Sequence, residues 1–150
     1  MFSQNIKKSI IAGLFSILTI GVLSILTYKS EYGVFLIASF GSTMVLLYGY
    51  PESPFAQPKN IILGHLITSV VGVIFLNFIS LPIYLMLPLA VGFGVMLMIA
   101  LNITHPPAGG NPIIIIMGSV SFDYLLMPVV VGSVIVLSLI HISEPTRQAE

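Results

Sequence analysis

Thr104-His105-Pro106-Pro107-Ala108-Gly109-Gly110-Asn111-Pro112 stands between two strongly apolar runs, residues 83–102 and 113–140. No helix can continue through it. The adjacent prolines lack N–H groups and fix φ, so the carbonyls of Thr104 and His105 lose their helical partners. Between lipid-soluble runs, such backbone must be buried in protein or line a water-filled cavity.

Composition fixes the surroundings. Of 150 residues, 57% are hydrophobic and 7% charged, with a mean hydropathy of +1.10, against about a quarter charged in soluble domains. At about 20 apolar residues per crossing, the chain has room for one compact domain of roughly four to six spans. No separate soluble enzyme domain fits beside it. Five basic and five acidic residues cancel, so there is no basic surface for a phosphate backbone, and nucleic acid is not an expected partner. The absence of cysteine excludes disulfide frameworks and thiolate metal sites. The lipid bilayer is the partner composition demands, and association of like chains is compatible with it.

The chain reads as an all-α polytopic bundle with broken or half-helices. Residues 9–28 form the cleanest span, with Lys7 and Lys8 before it and Lys29 and Glu31 after it. The start is basic like a signal peptide but lacks a small-residue cleavage site, so a retained first span is expected. The run 32–50 carries a small, polar patch, Phe40-Gly41-Ser42-Thr43, taken as a break. A proline-rich loop, 51–60, leads through Pro58, a first-turn residue, into a third span ending near residue 79. Leu81-Pro82 marks a turn before a fourth span, 83–102. The remaining run, 113–140, is too long for one simple crossing. It divides into a half-helix, 113–120, and a last span from Tyr124. The transmembrane domain is 1–140, with halves at about 9–80 and 81–140. Residues 141–150 change character abruptly and resemble a translated sequencing adapter; a non-native tail without function is expected there, and the natural sequence then continues differently. Lys7, Lys8 and Lys59 fall on one side of the bilayer. By the positive-inside rule that side is cytoplasmic, which places the N-terminus inside, in the inner membrane of a bacterium.

Both halves share one plan: an uninterrupted span, a polar interruption, then a further span. Paired interruptions point to a transporter's binding site, and a two-fold internal repeat is the corresponding fold expectation. In the second half, Ala108, Gly109, Gly110 and Asn111 offer consecutive N–H groups before an apolar helix, an arrangement suited to an anion. The plainer reading is a surface loop capped by His105. Ser42 and Thr43 add hydroxyls beside Gly41, although in membranes such residues also serve helix packing. His65 reads as a structural hydrogen-bonding group unless it lies near His105. Lys59 is an interfacial anchor that would also attract anions. No metal cluster, Walker loop or nucleophilic triad spacing is present, and neither a cofactor nor an enzyme is expected. An acid–base pair of His105 and Asp123 would be the enzymatic alternative.

Phe40-Gly41-Ser42-Thr43, Pro54-Phe55-Ala56-Gln57-Pro58 with Asn60 and Gly64-His65, and above all Thr104-His105-Pro106-Pro107-Ala108-Gly109-Gly110 resemble the HPP family of small integral membrane proteins. The resemblance runs over residues 32–137. Plastid and cyanobacterial relatives are implicated in nitrite transport. It therefore implies a transporter or channel for a small inorganic anion, nitrite first. The substrate-binding residues would be Gly41, Ser42, Thr43, His105, Pro106, Pro107, Ala108, Gly109, Gly110 and Asn111, with His65 and Lys59 secondary. No Lys or Arg lies inside a span, so N–H groups, hydroxyls and imidazole must replace the ion's water. The competing expectation is a membrane scaffold or assembly subunit without transport.

Overall fold

The computed structural model describes residues 2–31 and 33–148. Among these the elements are α1 Phe2–Lys29, α2 Ser39–Met44 extended by a π-turn Val45–Gly49, α3 Pro58–Phe78, α4 Ile83–Ala100, α5 Asn111–Gly118 and α6 Val131–Gln148. Short 3-10 turns cover Pro54–Ala56 and Pro106–Gly110, and a π-helical stretch, Leu125–Val130, leads into α6. No strand occurs among the described residues, so the chain is an all-α bundle. The backbone of α6 continues to Gln148. Ala149, Glu150 and the side chains from residue 141 onward lie outside the described residues, and the expected foreign tail falls largely on them.

Asn5–Lys29, Pro58–Phe78 and Ile83–Ala100 are long and apolar enough to cross a bilayer. Leu125–Ile140 is a shorter apolar helix. Pro88 is accommodated inside α4, as neighbouring helices allow in membranes. At about 1.5 Å per residue, the eight residues of α5 cannot cross alone. The same holds for α2 and its π-turn. Each short helix is preceded by non-helical chain, 33–37 in the first half and 103–105 in the second, and lead-in and helix together make one pass.

Particular contacts fix the direction of each pass. Thr27 Oγ1 accepts from the N–H groups of Phe35 (3.0 Å) and Leu36 (3.2 Å), while Thr19 and Tyr48 hydroxyls are 2.7 Å apart. Segment 33–49 therefore runs back along α1. Gly64 abuts Ile103 and His105, and Gly72 abuts Pro112 and Ile115. Segment 103–118 therefore runs in the direction of α3, while α4 lies antiparallel to it with Gly94 against Thr68. Val134, Leu137 and Ser138 of α6 return beside Pro58 and Ile62. The six segments thus alternate in direction from α1 to α6, and the two short helices α2 and α5 point in opposite directions. The N-terminal end of α1 and the loop before α3 lie at the same end, so Lys7, Lys8 and Lys59 share it.

The first-half interruption is not where the polar patch suggested. Gly41, Ser42 and Thr43 are helical, within α2, and the hydroxyls of Ser42 and Thr43 lie 3.2 and 3.1 Å from the Ser39 carbonyl. A carbonyl one turn back within reach lets polar side chains sit in a helix without breaking it. The break is residues 33–37, beginning at Gly33 with φ 118°. Two of its N–H groups find their acceptor in the side chain of Thr27.

The lead-ins are packed into the interior. Phe35, Ile37, Phe40, Met44 and Leu47 form one core with Leu23, Ile61 and Val136, and a second core joins Val71, Ala90 and Ile116. Glycines set the closeness of two crossings. A Cβ at Gly72 would sit 2.9 Å from Pro112 Cα, and one at Gly132 would sit 2.6 Å from the Phe35 carbonyl oxygen. Gly72→Ala and Gly132→Ala are expected to lower stability by about 1–3 kcal/mol each through overpacking. Gly92→Ala, with nothing within 4 Å, should leave it unchanged. Thermal unfolding in detergent separates the two classes.

Candidate substrate site where two short helices meet

The two short helices begin with polar residues, and these residues touch. Ser39 Oγ, in the first residue of α2, donates to Asn111 Oδ1, in the first residue of α5, at 2.7 Å. Asn111 Nδ2 lies 3.1 Å from His65 Nδ1, 3.1 Å from the His65 carbonyl and 2.9 Å from Ser69 Oγ. Thr43 Oγ1, one turn along α2, is 3.1 Å from His65 Nε2 and 3.0 Å from His105 Nε2. His105 Nδ1 is 2.8 Å from the Phe55 carbonyl. The imidazole centroids of His65 and His105 are 4.9 Å apart, and Phe40 packs edge-on against His65. Ser39, Thr43, His65, Ser69, His105 and Asn111 are all buried. His65 and Ser69 stand in the middle third of α3, whereas Phe55 belongs to the loop before it, so the cluster reaches from that loop to the middle of the span.

Backbone carbonyls fix the direction of the bonds. The His65 carbonyl accepts only, so the Asn111 amide must turn its NH2 group that way. His65 Nδ1 then receives a proton donor and acts as the acceptor. The neutral ring consequently carries its hydrogen on Nε2 and donates to Thr43. The Phe55 carbonyl likewise requires a hydrogen on His105 Nδ1, leaving Nε2 as acceptor for the Thr43 hydroxyl. A directed chain results, from Asn111 through His65, Thr43 and His105 to Phe55, with both rings neutral. No buried side-chain nitrogen or oxygen among the described residues lacks a partner.

The carbonyls orphaned by the prolines are also satisfied. Asn60 Nδ2 donates to the Thr104 carbonyl at 3.0 Å, and the Ala108 N–H donates to that of His105 at 2.9 Å. This alters the expected anion cradle. Residues 106–110 wind into a 3-10 helix, and the Asn111 N–H bonds the Ala108 carbonyl, so the N–H groups of Ala108 and Asn111 are engaged rather than free. Winding is cheaper than leaving amides open in a buried segment.

The remaining expected residues are more dispersed. Thr43, His105 and Asn111 stand in the cluster, and Ala108 is buried. Gly41, Ser42 and Pro106 are exposed, while Pro107, Gly109 and Gly110 are half-buried, with open space beside Gly41, Gly109 and Gly110. His65 meets the condition set for it by lying against His105. Lys59 and Asp123 are exposed, and Asp123 borders a recess of about 490 Å3 with Gly33, Val120 and Met127. Neither is bonded to an imidazole. Sequence reasoning missed Ser39 and Ser69, although each stands four residues from Thr43 or His65, on the same helix face.

The residues that gather here are those of the motifs. Gly64 leaves room for His105, since a Cβ on it would be 2.8 Å from His105 Cβ. Asn60 ties the loop to Thr104, and Phe55 holds His105. The family description "HPP, transmembrane region" matches residues 1–147. The chain belongs to the HPP transmembrane family. Two transmembrane proteins of Dictyostelium discoideum are among its relatives. One is 34% identical over 126 residues, covering 77% of this chain and 44% of the relative. The other is 34% identical over 132 residues, covering 81% and 42%. The chain thus spans less than half the length of these relatives. No solved structure matches it. As an HPP transmembrane protein, the chain is integral to a membrane.

Proposed function

We propose that this HPP domain is the membrane part of a transporter or channel for a small inorganic anion, with nitrite the leading substrate. The observation that carries the reading is the 2.7 Å contact between Ser39 and Asn111, which brings the starts of two opposed short helices together beside the middle of α3. Helix N-termini are the positive ends of their dipoles, and discontinuous helices in inverted repeats direct them at anionic substrates. The adjoining donors are hydroxyl, amide and imidazole. With Lys7, Lys8, Lys29 and Lys59 all at the ends of the spans and none bonded to the cluster, these donors solvate an anion without trapping it. The anion enters by taking over donors that now bond one another, those of Ser39 and Asn111 first. The domain has no enzymatic role in this reading. The shared end of Lys7, Lys8 and Lys59 faces the cytoplasm, in a bacterial inner membrane.

One observation favours the competing scaffold reading: every buried polar side chain in the cluster is already satisfied within the chain. Purified protein reconstituted into vesicles decides between them. Nitrite uptake above that of protein-free vesicles, with sulfate excluded, is the expected result. No flux of nitrite, nitrate or chloride under any gradient would leave the scaffold.

A further inference from the structure

Two imidazoles converge on one hydroxyl in the membrane interior, and that hydroxyl has an unused alternative. Thr43 Oγ1 holds His65 Nε2 at 3.1 Å and His105 Nε2 at 3.0 Å, and it also lies 3.1 Å from the Ser39 carbonyl. In the neutral chain the Thr43 proton points to His105 Nε2. If His105 Nε2 takes a proton from hydronium, its lone pair forms the new N–H bond as one hydronium O–H bond breaks and water is released. The Thr43 hydroxyl turns to the Ser39 carbonyl, and its oxygen accepts from both rings. Every donor still has an acceptor, because a hydroxyl oxygen carries two lone pairs.

A second proton has no such place. The remaining lone pair is His65 Nδ1, which faces the Asn111 NH2 group at 3.1 Å, so a proton there would set donor against donor. It would also put two cations on rings 4.9 Å apart, which like-charge repulsion opposes. The charged groups on neighbouring segments do not intervene. Glu52, Lys59 and Asp123 are exposed, Tyr124 borders the recess with Asp123, and none is hydrogen-bonded to either ring. The pair therefore holds one added positive charge, and it does so beside the starts of α2 and α5.

We propose that the His65–Thr43–His105 bridge takes up one proton for each monovalent anion bound, so that transport is an electroneutral proton–anion symport. This rests on the anion-transport reading above. The imidazolium supplies the single countercharge the cluster lacks, and both are surrendered together on release, the proton leaving His105 Nε2 for water.

The test uses the full chain in vesicles, nitrite outside and a trapped pH dye inside, with protein-free vesicles subtracted to remove permeation of nitrous acid. An acidic exterior is expected to drive nitrite accumulation, one proton entering per nitrite. A potassium–valinomycin potential of either sign should leave the rate unchanged. Thr43→Val keeps the side chain's shape but removes the bridging oxygen, and should cut pH-driven accumulation about tenfold or more, the equivalent of one charge-assisted hydrogen bond. Thr43→Ser should retain it. Nitrite flux that follows the membrane potential without proton uptake would overturn the coupling while leaving anion transport intact. So would full pH-driven accumulation in Thr43→Val. Absence of nitrite flux in the wild-type chain under every gradient would remove the transport reading itself, and the coupling with it. The stoichiometry and voltage measurements need no variant, so a poorly folding Thr43→Val does not block the decision.

Discussion

Asn111→Ala is expected to unfold the domain more readily than any other single truncation in the bundle, lowering its stability by roughly 2–4 kcal/mol. Asn111 bonds four groups on two other elements: Ser39 of α2, and the ring, carbonyl and Ser69 hydroxyl of α3. Interhelical hydrogen bonds in membranes contribute about 0.6–1 kcal/mol each. One accepted bond and two N–H donors shared among three acceptors contribute about 2–3 kcal/mol, and the lost packing adds the rest. Asn111→Asp should be worse than Asn111→Ala. A carboxylate still accepts from Ser39, but it meets the His65 carbonyl with an oxygen and buries a charge without a partner. Thermal unfolding in detergent should therefore rank wild type above Ala and Ala above Asp. An Asn111→Ala protein as stable as wild type would mean that α2, α3 and α5 are not joined through this amide.

Gly64→Val should produce the second large effect, and by a different route. The added Cβ would stand 2.8 Å from His105 Cβ and 3.1 Å from the Ile103 carbonyl, with branched methyls reaching further. Neither neighbour is the flexible end of a side chain, so segment 103–105 must shift, at about 1–3 kcal/mol or more. The shift separates His105 from Thr43 and from the Phe55 carbonyl together. Nitrite flux is expected to be lost, with Gly64→Ala intermediate. Gly109→Ala and Gly110→Ala meet only open space and should keep the fold intact. Flux and unfolding temperature unchanged in Gly64→Val would show that His105 is not held at this crossing.

The sequence revealed the second interruption more clearly than the first, for a local reason. His105-Pro106-Pro107 cannot be helical in any surroundings, because the restriction lies in the proline rings and missing N–H groups. Gly33-Val34-Phe35-Leu36-Ile37 carries no such restriction, and its hydropathy is that of an ordinary span. What opens it is tertiary: Thr27, eight and nine residues upstream, supplies an acceptor for the Phe35 and Leu36 N–H groups. The small, polar Gly41-Ser42-Thr43 drew attention in its place, although these residues are helical, with both hydroxyls within reach of the Ser39 carbonyl one turn back.

The candidate site was legible in part for a related reason. His105, Thr43 and Asn111 stand out as polar residues in apolar runs. The role of His65 depends on its distance from His105, forty residues along the chain, and no local pattern encodes that. The donor and acceptor assignments depend on two carbonyls, those of His65 and Phe55, which every sequence possesses and none distinguishes. The fold class followed from length and hydropathy, because long apolar runs with few charges can satisfy their backbone in lipid only as helices.

Solid-state NMR of 15N-histidine-labelled protein in bilayers at neutral pH tests the crossing most directly, because the chain has three histidines and the two of interest differ in tautomer. His65 should appear as the neutral Nε2–H form and His105 as the neutral Nδ1–H form, both slow to exchange with deuterated water, with a ring-to-ring contact consistent with centroids 4.9 Å apart. Two rapidly exchanging imidazoles, identical tautomers, or no contact between the rings would contradict a directed chain joining the two short helices inside the membrane.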